Sequence, residues 1–125
     1  IMTPGGYHAF EHRWAADEAF KLHLQLGKAQ VQTHIHALNT ELKTQLLALP
    51  QVELVTPRSP GLSAGFTFFR VKGQDSDAVA DYMMNNRVVI DAVDRDVGPV
   101  IRTAPGLLNN LDEIQRFISL LSQQV

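Results

Sequence analysis

Arg102 ends an apolar run, Val100, Ile101, Arg102 and Thr103, directly before Ala104, Pro105 and Gly106. A guanidinium offered where a strand meets a loop can grip a carboxylate through two parallel hydrogen bonds, fixing orientation as well as charge. Spacing alone also allows a plainer role, with Arg102 paired to an aspartate or reaching solvent. A second constellation lies near the start, where His8, Glu11 and His12 spell H-x-x-E-H. In one metalloprotease class this order sets two histidines a helical turn apart for zinc, with the glutamate as general base. Zinc also needs a third protein ligand from elsewhere, and no second motif nominates one. The plainer reading is a polar first helical turn in which Glu11 favours the positive end of the helix dipole. No metal site is assigned. His34 and His36 are two residues apart on a helical pattern, face different ways, and cannot chelate one ion together. Met83 and Met84 read as core and boundary filler.

The elements that must position these groups belong to a chain of 125 residues, with 11 Lys plus Arg against 13 Asp plus Glu. That length is room for one domain, and the 45% apolar content suffices for an ordinary core. A formal charge of −2 argues against nucleic acid as the main partner, because duplex binding needs a field of Lys and Arg. The absence of cysteine excludes a disulfide framework, a thiolate metal site and any cysteine nucleophile or persulfide. No run of about 18 apolar residues occurs, so no membrane span is expected. The chain starts at Ile1 with Met2 second, so a piece of a longer protein is the expectation.

Thr3, Pro4, Gly5 and Gly6 signal a loop, and a helix should follow from about Phe10 to Leu26, with Ala15, Ala19, Leu22 and Leu26 on one face. Gly27 permits a break. From Lys28, a cleaner stripe of Val31, Ile35, Leu38, Leu42, Leu46 and Leu49 predicts a second helix ending before Pro50. The period then becomes alternating. Val52 to Val55 reads as a short strand, Thr56 to Pro60 as a loop, and Ala64 to Val71 as a central strand covered on both faces. That strand's phenylalanines read as core rather than a base-stacking platform, since basic residues do not interleave with them. Asp75 or Ser76 caps a third helix carrying Val79, Tyr82 and Met83, ending at Asn85 and Asn86. Val88 to Ile90 and Val100 to Thr103 read as strands flanking a polar loop that holds Asp91, Asp94, Arg95, Asp96 and Gly98. Asn110 and Glu113 make a capping box for a last helix with Leu111, Ile114, Ile118 and Leu121. The expected class is α+β: a small, mostly antiparallel sheet with helices packed on one side, preceded by long helices. Residues 1–50 would be connecting helices and 51–125 a small α+β subdomain.

Thr3 to Gly6, followed by Tyr7, His8, Ala9, Phe10, Glu11, His12, Arg13 and Trp14, resemble the opening of the C-terminal part of class V aminotransferase-like enzymes. The isopenicillin N epimerase-like branch is the most similar. The run from Val100 to Asn110, with Asp112 and Glu113 after it, resembles that family's closing strand, loop and helix. The resemblance implies pyridoxal phosphate, held as an aldimine by a lysine in a large domain that precedes this region. Lys21, Lys28, Lys43 and Lys72 do not stand in that lysine's context. No cofactor is therefore expected on this chain alone, and no residue of it is assigned a catalytic role. The resemblance places Arg102 on the α-carboxylate of an amino acid substrate. It also places Thr3, Gly5 and Gly6 near the cofactor phosphate of a neighbouring subunit, which implies a homodimer or other self-association. Cysteine desulfurases of this class use a reactive cysteine in the loop before the closing strand, and the corresponding stretch here, Asp91 to Pro99, has none. Epimerase, aminotransferase, lyase or kynureninase-like chemistry stays open for the parent, and a cytoplasmic location is the default. The alternatives are a free-standing α+β interaction or regulatory module and a small metallohydrolase built on His8, Glu11 and His12.

Overall fold

A computed structural model describes residues 10–124. Thr3, Gly5, Gly6 and His8 therefore lie outside the described residues. The chain divides into two compact units, residues 1–32 and 33–125. In the first, helix α1 spans Phe10–Leu26. Gly27, at φ +82°, breaks the helix at the expected place, its amide donating to the His23 carbonyl at 3.0 Å. No described residue of α1 is buried. The stripe of Ala15, Ala19, Leu22 and Leu26 is thus not a core face within this unit, and Trp14, Phe20 and Leu24 are each about 70% exposed.

Helix α2, Lys28–Leu47, begins in the first unit and supplies Leu38, Leu42 and Leu46 to the core of the second. Strand β1 (Val52–Leu54) follows, then a short 3₁₀ turn at Pro60–Leu62, strand β2 (Thr67–Val71) and helix α3 (Ser76–Asn85). A hairpin of β3 (Asp91–Arg95) and β4 (Gly98–Thr103) leads to helix α4, Leu111–Ser122. The sheet order is β1-β2-β4-β3, antiparallel throughout. The α+β architecture is as the sequence implies.

The core forms where the apolar residues of three helices meet one face of this sheet. Phe69 and Val71 of β2 and Ile101 of β4 pack with Leu42, Val79, Met83, Ile114, Phe117 and Leu121. Phe69 has no exposed surface and meets Phe117 edge-on at 6.2 Å. The capping box of α4 is present: Glu113 N donates to Asn110 Oδ1 at 3.0 Å, and Asn110 N to Glu113 Oε2 at 3.1 Å. Asp75 caps α3 through the Ala78 amide.

Three expectations change. Val88 to Ile90 is not a strand; Val88 and Ile90 are half-buried beside the core, and the hairpin strand is the polar stretch Asp91–Arg95. An edge strand tolerates charge because one of its sides meets water. β2 starts at Thr67, three residues later than its apolar pattern suggests, because the Ala64 carbonyl accepts from Asn39 Nδ2 at 2.6 Å instead of joining the ladder. Its second face is only partly covered: Phe68 and Arg70 are half-buried there and Phe66, just before the strand, is 52% exposed, while Thr67, Phe69 and Val71 are buried.

Two buried polar side chains of α2 hold the loop that enters β2. Asn39 donates to Ala64 O and accepts from Thr67 Oγ1 at 2.5 Å. One turn on, Lys43 is buried with its Nζ donating to the carbonyls of Pro57 (3.3 Å) and Arg58 (3.2 Å) and to Ser63 Oγ (2.7 Å). Replacing Asn39 leaves the buried Thr67 hydroxyl without its acceptor and unties the Ala64 carbonyl, so Asn39→Ala should cost about 2 kcal/mol. Denaturant unfolding of the chain measures it, and an unchanged midpoint would refute the role.

Candidate functional site

Alternation along β4 sorts its side chains. Ile101 and Thr103 enter the covered face and are buried, which commits Arg102 to the open one. There it lies opposite Phe68 of β2 and opposite Asp91 of β3. The guanidinium is held side-on: Arg102 Nε donates to Asp91 Oδ1 at 3.0 Å and Nη2 donates to Asp91 Oδ2. Its carbon stands 5.8 Å from the centre of the Phe66 ring, close enough for a cation–π contact. Both charged side chains stay partly exposed, at 34% for Arg102 and 48% for Asp91.

Other cations share this face. Arg95 reaches over the Phe68 ring at 5.4 Å, and Phe68 stacks with Phe66 at 6.3 Å between centres. Arg70 pairs loosely with Glu53 at 3.7 Å and donates through Nε to the Pro99 carbonyl at 3.1 Å. An open cleft of about 340 Å³ borders the two rings, lined also by Val55, Thr56, Pro57 and Leu62. A second cleft, of about 290 Å³, lies between the segment after α3 (Arg87 to Ile90), α4 and the loop after β4, with Arg87, Arg116 and Glu113 among its lining. Arg102 lines neither cleft; it adjoins the first through Phe66.

The loop leaving β4 is fixed by one side chain. Asn109 Oδ1 accepts from Gly106 N at 2.8 Å and its Nδ2 donates to Glu113 Oε2 at 3.0 Å. Its carbonyl lies 3.1 Å from His34 Nε2. The capping box and this loop together anchor the end of β4, so Arg102 projects from a tied segment.

Asp91, placed in a polar loop by the sequence reading, thus becomes the partner of Arg102. One signal could have found it: the two residues are equidistant from the tight turn at Asp96 and Val97, which Gly98 closes at φ +92°. The Arg102 hydrogen bond holds the Asp91 carboxyl below the usual aspartate range, and the same bond raises the already high pKa of Arg102.

Glu11 and His12 sit exposed in the first turn of α1. Among the described residues, no cluster of three or more His, Cys, Asp or Glu could hold a metal ion. No described helix is long and apolar enough to cross a membrane. Lys43 Nζ is spent on loop acceptors, and Lys21 Nζ is paired at the surface with Asp17 and Glu18.

Comparison with known proteins adds to this geometry. The model of the kynureninase C-terminal domain matches residues 29–121. The chain belongs to that family. Among curated proteins, isopenicillin N epimerase of Amycolatopsis lactamdurans is 27% identical over 111 residues, covering 87% of this chain and 28% of the epimerase. The fold is shared with a cysteine desulfurase from Thermococcus onnurineus NA1, at a TM-score of 0.75 and 19% identity over 81% of this chain and 27% of the desulfurase. It is shared also with the cystine C–S lyase C-DES, described in complex with its product cysteine persulfide. That match has a TM-score of 0.72 and 22% identity over 83% of this chain and 27% of the lyase. The chain therefore spans less than a third of these relatives' lengths. This is the C-terminal domain architecture of the class V aminotransferase-like enzymes, as the resemblance implied.

The depressed Asp91 pKa carries a sign. The pair's contribution to folding is present above the unfolded aspartate value and is lost as pH falls through the lower folded one. Carboxyl-detected NMR should place the Asp91 titration below the ordinary aspartate range, and Arg102→Ala should return it there. An ordinary value in the unaltered chain would mean the pair does not form in solution.

Proposed function

We propose that this chain is the C-terminal, substrate-binding domain of a longer pyridoxal phosphate-dependent enzyme of the class V aminotransferase-like group, most similar to isopenicillin N epimerase. The large cofactor-binding domain and the Schiff-base lysine would precede it. The reading is supported by the family match, by the short share of each relative that the chain spans, and by Arg102 on the open face of the closing strand pair. Arg102 carries the proposal. In this reading it holds the α-carboxylate of an amino acid and fixes how the rest of that molecule is presented. The cofactor, when bound in the whole enzyme, supplies the electron sink. Thr3, Gly5 and Gly6 are proposed to meet its phosphate, since hydroxyl and amide donors suit that group.

The test uses the full-length enzyme. Arg102→Ala should weaken amino acid binding on the order of 100-fold while cofactor binding stays the same, because a paired, charge-assisted contact is lost. Equal amino acid binding in the variant would remove Arg102 from the site.

Homodimerisation or other self-association is also proposed. Trp14, Phe20, Leu22 and Leu24 of α1 are each more than half exposed, and exposed large apolar side chains are where a second molecule would gain contact. Sedimentation of the 125-residue chain over a concentration series should show association; a strict monomer at the highest concentration would count against it.

A further inference from the structure

We propose that Asp91 is a positioning residue for Arg102, gripping one edge of its guanidinium so that the adjoining edge faces a second carboxylate in a fixed direction. The inference rests on the substrate-binding reading of Arg102 and deepens it. A guanidinium carries five N–H donors in one plane. Asp91 occupies the Nε and Nη2 edge, with Nε to Oδ1 at 3.0 Å. That leaves the two Nη1 hydrogens and one on Nη2, and the facing pair forms a second fork with the spacing of a carboxylate.

Three observations give this arrangement direction. Asp91 and Arg102 are paired across β3 and β4, so the acceptor is built into the ladder and not carried by a mobile loop. The hairpin that joins them turns in two residues, Asp96 and Val97, which fixes their register. The Phe66 ring lies near the guanidinium at 5.8 Å, a further restraint besides the carboxylate. An arginine without Asp91 would be free to rotate about its last side-chain bonds, and a ligand would have to order it on binding. Asp91 carries that ordering in advance. Its negative charge also opposes a second carboxylate, so the site trades some affinity for orientation.

The experiment compares Asp91→Ala, Asp91→Asn and Arg102→Ala in the full-length enzyme, with L-alanine and ethylamine as probes. The two share a carbon skeleton and an amine, and only L-alanine has the carboxylate. Binding is followed by the cofactor's absorbance. Asp91→Ala should weaken L-alanine about 10-fold and leave ethylamine unchanged, with cofactor content kept. Asp91→Asn, which retains an acceptor for Nε, should recover most of the loss. In the 125-residue chain, NMR should show the Arg102 Nε–H protected from exchange and its protection lost in Asp91→Ala. Unchanged or tighter L-alanine binding in Asp91→Ala, while Arg102→Ala weakens it, would overturn the positioning role alone and make Asp91 a competitor. No effect of Arg102→Ala would overturn the parent reading, and this one with it. Equal losses for both probes would reduce Asp91 to a structural role.

Discussion

Alternation along a strand governs this unit. Ile101 and Thr103 must enter the core, because the helices offer their apolar stripes to that face of the sheet and to no other among the described residues. Arg102, between them, is then obliged to point the opposite way. A one-residue slip of β4 would bury a guanidinium beside Phe69 and expose two core positions, a cost no marginally stable domain can bear. The register that keeps the core dry is the register that sets the direction of Arg102. Fold and site are in this sense one constraint.

The open face is not simply a polar surface. Val100 belongs to it by alternation, yet it has no exposed area, since the long side chains of this face lie across the sheet. Arginine stems and phenylalanine rings thus supply a thin second layer. Such a layer can rearrange when another molecule or domain approaches, because guanidinium groups remain partly hydrated there. A packed hydrophobic layer would lack that freedom. The buried polar anchors sit elsewhere: Asn39 and Lys43 secure the entry to β2, and Asn109 secures the exit from β4.

Much of this order could be read from the chain. Pro50, Gly27 and the Leu38, Leu42 and Leu46 stripe marked the helices, and Asn110 with Glu113 marked the last cap. The errors share a physical cause. An apolar run such as Val88 to Ile90 reads as a strand, whereas the true edge strand carries Asp91, Asp94 and Arg95, which look like loop residues. Edge strands carry charge because water satisfies it. Phe66 and Phe68 read as interior because they are aromatic, although period-two spacing could not say which face a helix would cover. Arg102 was legible by its place before Ala104 and Pro105. Asp91 was not, because pairing across a hairpin depends on a turn whose centre the residue pattern did not fix. Asn39 and Lys43 went unnoticed as well: they lie one residue off the leucine stripe, where a polar side chain ordinarily meets solvent.

The sheet's two borders are unlike each other. β1 has only three residues, and β3 carries Asp91, Asp94 and Arg95 along its length. A stub on one side and charged side chains on the other make poor templates for an incoming chain, so fibrillar stacking through these margins is disfavoured. Any assembly this unit enters must therefore be built from side chains rather than by extending the ladder.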